Sequence, residues 1–212
     1  MAARVPQAGG SESVQVVDRV VASIGGAAVT ASDVQREYRL EILMEQGRLP
    51  EASPDAATFD RVRDRLIDQR LLGEEVKAEA APSNGAAAAA ESTLAEVRRK
   101  FPSPAAFDSA LGALDLDETG FLRLLEEHER SLALVDRRLR PAASPDQPEI
   151  DRYYRETFLP EYAKRSQGGP PPLAEVESQI REVLVQQKID QLLAAWLKEL
   201  RSAHRVRVLA VD

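Results

Sequence analysis

The chain contains no cysteine, so disulfide bonds, thiolate catalysis and cysteine metal sites are excluded. That lack fits an oxidising compartment as well as a reducing one and chooses neither. Histidine is scarce, with only His128 and His204, whereas a metal site needs several converging ligands; no metal and no cofactor are expected. Aromatic residues make up 5% of the sequence against 30% charged residues. This is the balance of a helix-rich protein with broad solvated faces, not of a dense sandwich or barrel. Basic charge is not in excess either: a formal net charge of −7 argues against a nucleic-acid partner, which requires a basic footprint to displace counterions. No run approaches the ~18 apolar residues that would suggest an integral membrane span. Residues 1–10 lack the apolar core of a secretory signal, so the expectation is a cytoplasmic protein or an exported one given without its leader. Walker-type phosphate loops and Gly-x-Ser-x-Gly elbows are missing as well, so no nucleotide-driven cycle is visible.

What is present is a long apolar-striped segment that runs straight into a short alternating one. From Pro172, suited to a first helical turn, the residues Leu173, Val176, Ile180, Val183, Leu184, Leu192, Leu193, Trp196, Leu197 and Leu200 recur mostly at three- and four-residue steps. They predict one wide buried face on a helix about 45 Å long. The basic end at Arg201, His204 and Arg205 suits the negative pole of a helix. The period then changes, and Val206–Val211 reads as a strand.

That strand needs a partner, and the other end of the chain offers one. Residues 14–24 read as extended, Gly25-Gly26 as a hairpin turn, and Ala27–Val29 as a short return strand. Two strands alone are marginal in water, so the terminal strand is expected as the third. The fold class predicted is mainly α, a multi-helix domain with a small sheet formed by the N-terminal hairpin and the C-terminal strand. Residues 1–13 are expected to be a disordered tail. Residues 14–140 form the hairpin and a helical region, 141–172 a proline-rich connector with a short helix, and 173–211 the long helix and strand that complete the same domain.

Between the ends the expected elements are helices. Thr30 or Ser32 caps the first, with Asp33 in its opening turn, and Gly47 stops it. The second runs from about Thr58 to Ala80, with Phe59, Val62, Leu66, Leu71, Leu72 and Val76 inward. Pro82–Gly85 breaks it, and an alanine-rich third helix carries Leu94, Val97 and Phe101. Ser103 caps a short helix with Phe107, Leu111 and Leu114. Asp117 caps the next, where Phe121, Leu124, Leu125, His128, Leu132, Val135 and Leu139 are expected on one stripe. A further short helix carries Ile150, Tyr153, Tyr154 and Phe158, and residues 166–172 form a Gly/Pro linker.

The segment Val16 to Gly26, followed by Val29-Thr30-Ala31-Ser32-Asp33-Val34, resembles the opening of the SurA-type periplasmic chaperones and their parvulin-foldase relatives. Phe59 to Leu72 resembles that family's second helix. Further similarity lies in Arg98 to Ser103 with Phe107 and Leu111, in Arg137-Arg138-Leu139-Arg140, and in the ending from Ile180-Arg181-Glu182 through Trp196 to Leu209. The likeness covers nearly all of residues 14–209, carried by order and spacing and not by one sharp motif. It implies a SurA-like chaperone domain and a periplasmic location. One departure stands out. Isomerase members carry a parvulin domain of ~100 residues, a usual domain size, where this chain has only residues 160–172. The parvulin signatures have no counterpart, and Gly168-Gly169 is followed by three prolines that cannot donate to a sheet. The resemblance therefore implies a parvulin-less chaperone without catalytic residues, whose partners are unfolded polypeptide clients.

Individual residues add little chemistry. His128 is expected as a packed or partly exposed histidine, His204 as a favourable helix-end charge, and Glu126, Glu127 and Glu129 as a solvated face. Tyr153, Tyr154, Phe158, Tyr162 and Trp196 are the candidate client-binding residues. They cluster in the last third of the chain beside Pro/Gly segments, and aromatics bring large apolar area at low entropic cost. Either they pack the final helix to its neighbours or they contribute to an exposed cradle. Three functions follow as alternatives: an ATP-independent holdase, a peptidyl-prolyl isomerase, and a structural subunit forming a homodimer by helix exchange at residues 166–172.

Overall fold

The computed structural model describes residues 18–79, 85–165 and 168–209. The expected tail at 1–13, the start of the first extended segment, most of the Pro82–Gly85 break, Ser166-Gln167 and the end of the terminal strand lie outside the described residues.

Strand β1 (Val20–Ile24) turns back through Gly25-Gly26 into β2 (Ala27–Thr30), pairing antiparallel from Ile24↔Ala27 to Val20↔Thr30 with a bulge between Val20 and Ala22. Gly25 holds φ +58, a left-handed conformation that costs an L side chain energy and glycine none. Strand β3 (Arg207–Val208) joins the free side of β1, so the sheet order is β2-β1-β3. The register is Ala22↔Val208 and Ser23↔Arg207, extended by the Leu209 N–H donating to the Val21 carbonyl at 2.9 Å. The two ends of the described chain thus share one small sheet.

Helix α1 (Ala31–Gln46) starts at a capping box: the Thr30 hydroxyl accepts from the Asp33 N–H, and the Asp33 carboxylate accepts from the Thr30 N–H. Thr30, not Ser32, is the cap. Gly47 ends the helix at φ +66, where the Lys100 backbone and side chain occupy the space that a β-carbon would need. Helix α2 (Ala56–Glu79) follows, then α3 (Ala86–Arg98), α4 (Pro104–Gly112) capped by Ser103, and α5 (Glu118–Leu139) capped by Asp117. After a 3-10 turn at Arg140–Ala142, α6 (Gln147–Tyr153) begins at a second capping box, Asp146 with Glu149. A π-turn, Tyr154–Phe158, leads without a break into α7 (Leu159–Arg165), and α8 (Leu173–Ala203) closes the chain before β3.

Three apolar clusters hold these elements. The main one joins the sheet (Val21, Ala22, Val29) to α2 (Val62, Ile67, Leu71), the end of α5 (Leu134, Val135, Leu139) and the second half of α8 (Val185, Ile189, Trp196, Leu200). The second gathers Leu43 of α1, Leu94 and Val97 of α3, Phe107 and Leu111 of α4, and Phe121 and Leu125 of α5. There Phe107 meets Phe101 and Phe121 edge-on at 5.3 and 6.1 Å, the favoured aromatic geometry. The third is a small cluster of Ile150, Val176 and Ile180.

Helices that serve two clusters depart from a single straight stripe. On α5 the buried side turns between the second cluster and the main one, so Leu134 is inward while Leu124 and Leu132 are 39% and 50% exposed and His128 is outward. Leu132 borders a hollow of about 370 Å³ whose opposite wall is Gly85, Ala86 and Ala89; these short groups do not reach across to cover it. On α8 the same change of partner buries Val185 and Ile189 and leaves Val183 outside. The expected stripes on these two helices are corrected accordingly. On α2, Ile67 is fully buried, while Phe59, Leu66, Leu72 and Val76 pack at the margin of the main cluster.

Ion pairs stitch the elements where apolar contact ends. Arg70 of α2 reaches Asp33 at 2.8 Å and the Ala28 carbonyl at 3.0 Å, tying α2 to the hairpin and the first cap. Arg201 near the end of α8 donates to Asp68 at 2.7 Å and to the Asp64 carbonyl at 2.9 Å. Among the described residues no helix is long and apolar enough to cross a membrane.

Candidate client-binding surface

The third cluster organises an arm. Ile150 is fully buried between α6 and the first half of α8, against Val176 and Ile180, with Tyr153, Tyr154, Phe158, Leu173 and Leu184 packed around it. Polar ties reinforce that seam. Lys188 of α8 donates to Glu149 at 2.7 Å and to the Ser144 carbonyl at 3.2 Å, and Arg140 reaches Glu182 at 3.2 Å. Lys188 holds the Glu149 carboxyl below its ordinary range, helped by the Asp146 N–H at the cap. The arm is thus α6 and the π-turn packed against the start of α8, continued by α7, with its own apolar seam beside the main core.

The π-turn has a local cause. Pro160 sits at the second position of α7, where it has no N–H for an α-type bond and its ring would collide with the carbonyl four residues back. Widening the preceding turn to i→i+5, with the Leu159 N–H donating to the Tyr154 carbonyl, relieves both problems. A geometric consequence follows for the aromatic residues. In an α-helix, residues four apart drift about 40° around the axis, since a turn holds 3.6 residues. The wider turn between Tyr154 and Phe158 offsets that drift, and one α-turn carries on to Tyr162, so the three rings follow one another along one side of the helix. Tyr154 and Phe158 stack with centroids 5.6 Å apart and planes 16° from parallel, and Phe158 and Tyr162 follow at 5.8 Å and 31°.

All three rings are half-buried; Tyr154 and Phe158 pack on the seam, and Tyr162 follows beyond it. Tyr153, also half-buried, faces the α8 seam with Ile150. At the start of the row the Tyr154 hydroxyl donates to the carbonyl of Pro171 at 2.8 Å. At its far end Glu161 pairs with Lys164 at 2.7 Å, which holds the Glu161 carboxyl low, with Arg165 beside it.

Of the five aromatic residues singled out in the sequence, four lie on this arm and Trp196 does not. Trp196 is 7% exposed in the main cluster, with the Arg138 guanidinium 4.4 Å above its ring. Ile180 and Trp196 are separated by roughly 24 Å of helix at 1.5 Å per residue. Trp196 is therefore a core residue, and its burial removes it from the candidate surface. Pro160 and Pro171 are the participants that sequence reasoning passed over. The signal for Pro160 was its position one residue inside a helix resumed after an aromatic run; nothing local marks Pro171 as a partner of Tyr154.

The remaining candidates contribute no site. His128 is exposed, Glu126 pairs with Arg130 at 3.3 Å along the helix, and the backbone carbonyl of His204 accepts from the Gly25 N–H. Among the described residues no group of three or more His, Asp or Glu side chains is arranged to hold a metal ion. Two hollows among the described residues, of about 290 and 370 Å³, are open and bordered by charged residues such as Arg48, Glu51, Glu129 and Asp136. Compared with family models, curated proteins and solved structures, the chain matches none of them.

Proposed function

We propose that this protein is an ATP-independent holdase that binds unfolded polypeptide segments through apolar side chains of the α6–α7 arm, without isomerase activity. The observation that carries the reading is the row Tyr154, Phe158 and Tyr162: three half-buried aromatic rings that follow one another along one side of the helix, on an arm with its own small apolar seam. Such a row offers a large apolar area on side chains already held in place, so little conformational entropy is lost on binding. The resemblance of the sequence to SurA-type chaperones supports the same reading and suggests the periplasm, with unfolded outer-membrane or secreted proteins as clients.

The mechanism needs only weak binding. A micromolar complex corresponds to about −8 kcal/mol, within reach of a few buried rings and aliphatic chains. By mass action, occupancy of the unfolded chain lowers the concentration available for aggregation, and the acidic surface keeps the complex soluble.

The test is light scattering of a urea-denatured β-barrel protein diluted into buffer without ATP. The expected result is concentration-dependent suppression at several-fold excess of this chain, weakened in a Phe158→Ser/Tyr162→Ser variant. Unchanged aggregation at that excess would sink the proposal.

A further inference from the structure

We infer that the aromatic row recognises extended proline-rich segments in the polyproline II conformation, and that the chain's own Pro170-Pro171-Pro172 is a resident occupant of its first position.

Two observations carry this. The Tyr154 hydroxyl donates to the backbone carbonyl of Pro171 at 2.8 Å. A proline segment has no N–H groups of its own and leaves every carbonyl free to accept, so an aromatic hydroxyl is a suitable reader of it. The segment is extended where it meets the helix, with Pro172 at φ −62 and ψ 153, the polyproline II region. Proline-rich segments favour docking on aromatic rows because their backbone is already ordered. The triplet meets the row at Tyr154, while Phe158 and Tyr162, both half-buried, continue it.

A resident segment has a consequence that packing alone lacks. An added proline-rich segment competes with the triplet for Tyr154, so the affinity measured is reduced by the fraction of time the strap is seated. Loosening the strap strengthens binding. The inference names the kind of segment that the arm takes, and in that sense rests on the holdase reading.

The test is fluorescence anisotropy of a labelled decaproline peptide with the full chain, against a labelled Gly/Ser peptide of equal length. Three proteins are compared: the unaltered chain, Pro170→Ser/Pro171→Ser, and Phe158→Ser/Tyr162→Ser. Emission from Trp196, buried in the main core away from the arm, reports that each variant is folded. The expected result is preference for decaproline, binding at least threefold tighter in the loosened strap variant, and at least fivefold weaker binding when the rings are removed. Equal binding of the two peptides, or equal affinity of the unaltered and loosened chains, overturns the inference. Suppression of aggregation without decaproline binding would sink this inference alone. Decaproline binding without suppression would sink the holdase reading alone.

Discussion

The backbone N–H of Gly25 donates to the carbonyl of His204 at 2.7 Å, joining the turn of the first hairpin to the cap of the last helix. Residues 179 positions apart (204 minus 25) are thereby fixed to one another by a bond that needs Gly25 in its left-handed conformation. The helices between them are held from both sides, by this small sheet and by Arg201 on Asp64 and Asp68.

Glycine substitutions at two helix and strand boundaries should separate conformational strain from crowding. Gly25→Ala places a Cβ 3.7 Å from the His204 carbonyl oxygen, an ordinary contact, so its cost is the left-handed backbone alone, about 1–2 kcal/mol. Gly47→Ala adds a clash with the Lys100 Cβ at 2.6 Å and its carbonyl oxygen at 2.7 Å, and overpacking adds about 1–3 kcal/mol to the strain. Urea unfolding followed by circular dichroism should rank Gly47→Ala clearly below Gly25→Ala. The reverse order would contradict the close approach of Lys100.

Trp196 should behave as core. Trp196→Ala is expected to cost about 3–5 kcal/mol, whereas Arg138→Ala, which removes the cation above the ring, should cost about 0.5–1 kcal/mol at this partly exposed site. Chemical denaturation of both variants checks the ratio. Aggregation suppression per folded molecule should be the same for Arg138→Ala as for the parent.

Two carboxylates should pull stability in opposite directions with pH. Glu149 is held below its ordinary value of 4.5, first by Lys188. Its contribution is present above that value and lost as pH falls through the lower folded value. Glu41 is held above 4.5 because burial disfavours its charge, even with Arg65 at 2.7 Å. That contact lies outside hydrogen-bond geometry and leaves one buried oxygen unsatisfied. Between 4.5 and its raised folded value the folded state binds more protons than the unfolded one, so stability falls as pH rises through that window. Glu149→Gln should remove an acid-side loss, and Glu41→Gln should flatten the slope just above 4.5. Stability measured at steps between pH 3 and 7 would show it, and identical profiles for both variants and the parent would refute it.

Much of the fold was legible because its signals are local. Thr30 with Asp33, Ser103, Asp117 and Gly47 act within one turn of the residues they terminate, and the change of period after Arg205 marks a strand whatever surrounds it. That the terminal strand would join the hairpin could be read because a lone strand must find a partner and the hairpin was the extended stretch on offer; that it pairs with β1 came from the structure. The face of a helix was less legible wherever two clusters share it. Leu132 and Leu134 are equally apolar, but the buried side of α5 turns toward the main cluster at Leu134, while Gly85, Ala86 and Ala89 beside Leu132 are too small to cover it.

The sequence by itself determined a mainly helical chain, closed by a sheet between its two ends, and confined the candidate surface to a handful of aromatic residues, because composition, periodicity and capping depend on near neighbours. Tertiary structure alone decided that Trp196 belongs to the core and that Pro171 meets Tyr154. Those outcomes depend on which segment lies opposite, and that is not encoded in the spacing of apolar residues along the chain.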